Sequence, residues 1–156
     1  MAGRLSLWRT GSTGDRLPRN IPAMALRRLA LLPDNDRFLR MELVKIQEDL
    51  PRLLGSKVAA ALVIGSVAEG RAGDGSDVDL LLVLDEGMPR RADYRFWDEE
   101  VAPHTRRFRF PIQPIFVARR SVRTSEPNLA AAIRRGILLW DRAGVFRRRK
   151  RWSIAS

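Results

Sequence analysis

At 156 residues the chain is sized for one domain around a single core. It has no cysteine, which excludes a disulfide framework and a thiolate metal site and fits a reducing compartment. No apolar run approaches the roughly 20 residues needed to span a membrane, and the N-terminus lacks the continuous apolar core of a secretory signal, so a cytoplasmic protein away from the membrane is expected.

The formal charge of +11 sits at the two ends. Residues 1–40 carry eight Arg and three Asp, net +5; residues 141–156 carry six basic residues and one acidic, net +5; the stretch between is nearly neutral at +1. The total therefore argues less for a nucleic-acid-binding body than its size suggests.

Residues 1–33 show no sustained period and are punctuated by Gly11, Gly14, Pro18, Pro22 and Pro33. This segment is expected to be irregular and poorly ordered, with at most a helical turn or two over 23–32. The domain proper is expected over 34–142. Its first helix is predicted over 36–50, where Leu39, Leu43, Ile46 and Leu50 follow the 3.6-residue period and Asp34, Asn35 or Asp36 can cap the start. Pro51 is expected to end it.

A continuous apolar run over 58–64 predicts a buried strand, and a second follows over 77–84. Residues 91–101 predict a second helix with Tyr94, Trp97 and Val101 on one face, stopped by Pro103. The run 107–118 alternates but contains Pro111 and Pro114; proline cannot donate to a ladder, so this is read as an edge or bulged strand. Ser125 and Pro127 open a third helix, Gly136 closes it, and a short strand follows over 137–140. A basic tail is expected over 143–156, including Arg147, Arg148, Arg149, Lys150 and Arg151. The order predicts an α+β domain, a small mixed β-sheet flanked by helices.

The chemistry concentrates between Val63 and Asp85. An apolar strand runs into Gly65-Ser66, a small-residue loop follows, and Ser76-Asp77-Val78-Asp79 opens the next strand. Carboxylates two residues apart on a strand face the same side, so Asp77 and Asp79 can hold a divalent cation, while Gly65 and Ser66 offer donors to a phosphate. Gly65-Ser66, Gly70 and Ser76-Asp77-Val78-Asp79-Leu80 fit the pattern G-S-x-x-x-G-x-x-x-x-x-S-D-x-D-L. On these residues the chain resembles the polymerase-beta-type nucleotidyltransferases, in particular the minimal nucleotidyltransferases of bacteria and archaea, over residues 36–140.

The resemblance implies the nucleotidyltransferase fold. It also implies a triphosphate held by Gly65, Ser66, Gly70 and Ser76, and Mg²⁺, two ions in the family, held by Asp77 and Asp79. The reaction implied is transfer of a nucleoside monophosphate, from ATP or another nucleoside triphosphate, to a hydroxyl. Similar members pair with a small helical HEPN-type partner, and some act on it as antitoxins. The family usually adds a third carboxylate from a later strand. Here the strand Phe108–Val117 carries no acid, and Gln113 stands about where one is expected. Glu99, Glu100 and Asp85 are the candidate substitutes.

Three functions follow: an active nucleotidyltransferase, an inactive nucleotide- or metal-binding subunit such as an antitoxin, and a nucleic-acid module working through the basic ends. His104 reads as a surface residue and Tyr94, Trp97 and Trp140 as packing residues. The arginines interleaved with Phe108 and Phe110 read as edge-strand charge that discourages sheet pairing.

Overall fold

The computed structural model describes residues 27–28, 37–72, 75–123 and 127–146. Outside them lie the expected helix caps at Asp34–Asp36 and Ser125, the stretch 1–22 and the basic run 147–151. The elements are β1 (Arg27–Arg28), α1 (Arg37–Leu54), β2 (Val58–Ile64), α2 (Gly65–Ala68) and β3 (Val78–Leu84). There follow α3 (Arg91–Phe96), a π-helical turn (Trp97–Val101), α4 (Ala102–Thr105), β4 (Ile112–Val117), α5 (Arg119–Arg123), α6 (Pro127–Arg134) and β5 (Ile137–Asp141).

The strands form one mixed sheet in the order β1-β5-β2-β3-β4. β2 runs antiparallel to both β3 and β5, while β4 is parallel to β3 and β1 parallel to β5. Arg27–Arg28 thus pair with Ile137 and Leu138 as strand, where the sequence suggested a turn of helix. β4 lies at the edge, as its prolines require.

Both faces of the sheet are covered, which is why β2 and β3 read as unbroken apolar runs. One face carries Ala61, Val63, Leu80, Leu82, Ile137 and Leu139 against Leu43, Ile46, Leu50, Leu54, Trp97 and Val101 of α1 and the π-helical turn. The other carries Ala60, Leu62, Leu81, Val83 and Leu138 against Val122, Ile133, Val145 and Phe146. The core thus reaches Val145 and Phe146, residues the sequence reading assigns to the basic tail. There the Asp141 carboxylate accepts the N–H of Val145 (2.7 Å) and of Phe146 (3.1 Å).

Three elements differ in extent from the sequence expectation. α1 continues past Pro51 to Leu54; Leu54 is buried one turn after Leu50, and that burial, worth about 1.5–3 kcal/mol, holds the extra turn against the one hydrogen bond proline cannot make. Pro103 does not stop the second helix: helical backbone runs on without a break from the π-helical turn into α4, which ends at Thr105, and the proline there forgoes one ladder hydrogen bond. Residues 107–110 stay outside β4: Phe108 turns into the core, and Arg109 N–H is taken by the Glu42 side chain.

β5 carries one extra residue. Leu62 pairs with Leu138 and Ala61 with Trp140, so Leu139 is bulged out of the ladder. Its carbonyl instead accepts a hydrogen bond from Gln47 Nε2 at 2.8 Å. Gln47 reads from sequence as part of the polar face of α1, yet it is only 8% exposed.

The topology gathers one set of strand ends together. The end of β2 and the starts of β3, β4 and β5 lie at the same end of the sheet, with the turn that follows β2 and the residues preceding each of the other three strands. The opposite end holds the Asp85–Arg90 turn and a cavity of about 300 Å³ lined by Asp85, Gly87, Met88, Ala118, Arg119 and Arg120.

Candidate active site

Ile64 pairs with Asp79, and Asp79 pairs in turn with Gln113 across the parallel β3–β4 ladder. Residues paired in register share a face, so Ile64, Asp79 and Gln113 form one row at the end of the face that α6 covers. Asp77 lies two residues earlier, just before β3, and is exposed, while Asp79 is half-buried.

Gly65 is held tightly against this row. Its φ is +78°, and a Cβ there would lie 2.6 Å from Asp79 Oδ2. Any other residue would both strain the backbone and push the carboxylate aside. The Asp79 carboxylate therefore packs directly on the turn leaving β2. α2 begins at Gly65, so its first amides have no acceptor inside the helix. The turn is closed behind them by Glu69 N–H to Gly65 C=O (3.0 Å) and Arg71 N–H to Ser66 C=O (2.8 Å). Ser66 and Ser76 are half-buried beside this turn and β3, and Gly70 is exposed just after α2.

Burial and, after it, the negative charge of Asp77 raise the Asp79 carboxyl above the ordinary 3.8. Two carboxylates within electrostatic reach, one desolvated against a glycine, make a site that gains from a positive charge. The donors are hard oxygens, the type Mg²⁺ takes: two carboxylates, with the Gln113 amide in the adjacent strand. They fit one divalent cation.

Among the described residues no group of three or more acidic, histidine or cysteine side chains comes together. Glu99 and Glu100 are exposed on the π-helical turn, and that turn packs on the other face of the sheet. Asp85 is at the far end of β3, about 20 Å away for six residues of strand, and its carboxylate is 2.6 Å from Arg119. His104 is exposed in α4. None of the candidate substitutes for the third acid reaches Asp79, and the residue paired with it on β4 is Gln113.

Two residues that the sequence reading did not single out belong to the same end of the sheet. Arg134 ends α6 and Arg135 follows it, immediately before Gly136 and β5, and both are exposed. The available signal was their place directly ahead of a glycine and a strand, which fixes where the helix ends.

A mixed sheet whose antiparallel hairpin presents a Gly-Ser turn to an Asp-x-Asp at the start of the next strand is the architecture of a nucleotidyltransferase. The nucleotidyltransferase domain family matches residues 43–127, more than half of the chain, and the protein belongs to that family. No curated protein matches the chain closely enough to be recognised as a relative.

Proposed function

We propose that the protein transfers a nucleoside monophosphate, AMP from ATP, to a hydroxyl group. The observation that carries this reading is the packing of Asp79 Oδ2 on Gly65, which joins the cation ligands to the phosphate-binding turn in one unit. In the reaction the acceptor oxygen bonds the α-phosphorus as its bond to the bridging oxygen breaks. Pyrophosphate leaves with that electron pair, and the hydroxyl proton is lost to water. Bound Mg²⁺ supplies neutralisation of the phosphate charge.

Within this reading each residue has one task. Asp77 and Asp79 hold the cation, Gly65 lets the backbone approach, and Ser66 donates to phosphate oxygens. Gly70 shapes the turn after α2, and Ser76 orders the approach to β3. The acceptor is a hydroxyl on a small helical HEPN-type protein, a choice supported by the family resemblance. Labelled ATP with Mg²⁺ and such a partner should release pyrophosphate and label the partner. Asp77→Ala and Asp79→Ala should each lose about 100-fold or more in rate.

A second reading rests on Gln113. A neutral amide beside Asp79 binds a cation more weakly than a carboxylate and accepts no proton, which favours a subunit that binds nucleotide without turning it over. Binding of Mg-ATP with no pyrophosphate, partner present, selects that reading over the first.

A further inference from the structure

We infer that Arg134 and Arg135 bind the phosphates of the nucleotide held at the Gly65-Ser66 turn, an inference that rests on the proposed nucleotide site. Both lie outside the segment that matches the family, which ends at residue 127.

The placement comes from the topology. α6 lies on the sheet face that carries Asp79 and Gln113: Ile133, one residue before Arg134, is 2% exposed and packs with Leu62, Leu81 and Leu138. The helix runs toward the end of the sheet where Asp79 stands, because β5 starts at that end, paired Ile137 to Val63. The next step of that register puts Gly136 beside Ile64, the partner of Asp79. Gly136 makes this approach possible. A Cβ at Gly136 would come within 3.0 Å of the Val63 carbonyl and 3.3 Å of the Ala132 and Ile133 carbonyls. The helix end is thereby drawn against the last residues of β2, one step from the Gly65 turn. Asp79 is two strand spacings from β5, about 10 Å, a gap that an arginine and a phosphate together span.

The charges are also uncommitted. The described residues tie down several other arginines: Arg71 to Glu69, Arg107 to Asp49, Arg119 to Asp85 and Arg142 to backbone carbonyls. Arg134 and Arg135 have neither an ion pair nor a side-chain hydrogen bond among the described residues. A planar guanidinium donates two parallel bonds to phosphate oxygens. A nucleoside triphosphate with one cation on Asp77 and Asp79 keeps excess negative charge, so two arginines on this side complete its neutralisation.

The test is calorimetric titration of the full chain with Mg-ATP and with AMP, for the wild type, Arg134→Ala/Arg135→Ala and Arg134→Lys/Arg135→Lys. Arg91→Ala serves as a control that removes an exposed charge from the start of α3. The alanine pair should weaken Mg-ATP binding about tenfold and AMP binding much less, with a shallower salt dependence. The lysine pair should recover part of the loss, and Arg91→Ala should bind as the wild type does. Circular dichroism melting of each variant identifies any that fails to fold, and the lysine pair then carries the comparison. Wild-type binding with an unchanged alanine pair overturns the inference and leaves the nucleotide site standing. A wild type that binds no Mg-ATP overturns the underlying site as well. Loss of single-stranded oligonucleotide binding with ATP binding intact assigns the arginines to a nucleic-acid surface and also overturns the inference.

Discussion

Burial and the Asp77 charge raise the Asp79 carboxyl, so the folded chain holds that proton to a higher pH than the unfolded chain does. A group with a raised carboxyl pKa loses folded-state stability as pH rises from its unfolded value through its folded one. Asp79→Asn should therefore melt higher than the wild type at pH 7 without divalent cation, and the gap should close in acid below the unfolded value. Differential scanning calorimetry across pH reads both. A variant no more stable than wild type at pH 7 would mean that the charge at Asp79 is not a burden on the fold. The same substitution should remove transfer activity, so stability and function pull apart at this residue. The turn at Gly65-Ser66 and the place of Asp79 on β3 were legible in the sequence because a strand and a tight turn are fixed by spacing, whereas Asp77, expected to open the strand, lies just before it. That Gly65 supports the Asp79 carboxylate was not legible, because it depends on a contact across two strands.

Among the elements, the start of α3 and the bulge in β5 show how polar groups are used inside this small fold. Asp93 is 3% exposed. Burial alone would raise its carboxyl. The hydrogen bond from Lys57, 2.7 Å away, that from Arg90 N–H at 2.8 Å and the positive charges of both residues outweigh it, so the carboxyl lies below its ordinary value. A lowered carboxyl pKa adds stability that is present above the unfolded value and is lost as pH falls through the folded one. Asp93→Asn should cost about 1.5–3 kcal/mol at pH 7, shrinking toward zero in strong acid, as measured by urea unfolding at several pH values.

Gln47→Ala should cost about 1–3 kcal/mol in the same assay, since it strands the Leu139 carbonyl in the core. A loss no larger than that of an exposed polar residue of α1 would show that water replaces the amide. Sequence periodicity located α1, β2, β3 and the edge position of β4. It missed Gln47 because a bulge leaves no trace in a short apolar run. It set the ends of α1 and the second helix at Pro51 and Pro103 because proline marks a boundary only by tendency: burial of Leu54 carries α1 past Pro51, and a π-helical turn leads the second helix on through Pro103.

Across the whole molecule, the sheet separates two cores of unequal origin. The α1 side is assembled largely from the family-matched segment. The α6 side is closed by residues beyond it, Ile133, Leu138, Val145 and Phe146. Phe146 is fully buried and its N–H is held by Asp141, so Phe146→Ala should cost about 3–5 kcal/mol. Truncation before residue 145 should destabilise comparably, with chemical denaturation as the measure. A chain that keeps its stability without Phe146 would mean that the second core closes without it. Net charge, by contrast, gave little at this scale. Residues 41–140 are nearly balanced at +1, and the rest of the charge lies toward the two ends.

At the far end of the sheet, Glu86, Gly87 and Met88 form a turn in which all three are exposed. The length of β3 separates this turn from the end of the sheet that carries Asp79, which makes it an attachment point. A short Gly-Ser insertion between Gly87 and Met88 lengthens a surface loop at a cost of about 0.6 kcal/mol per doubling. Nucleotide affinity should be unchanged by it. A fluorophore or affinity handle placed there would report on the protein without touching its chemistry, whereas the same insertion beside Gly136 or in the Gly65 turn would sever the contacts that join its two halves.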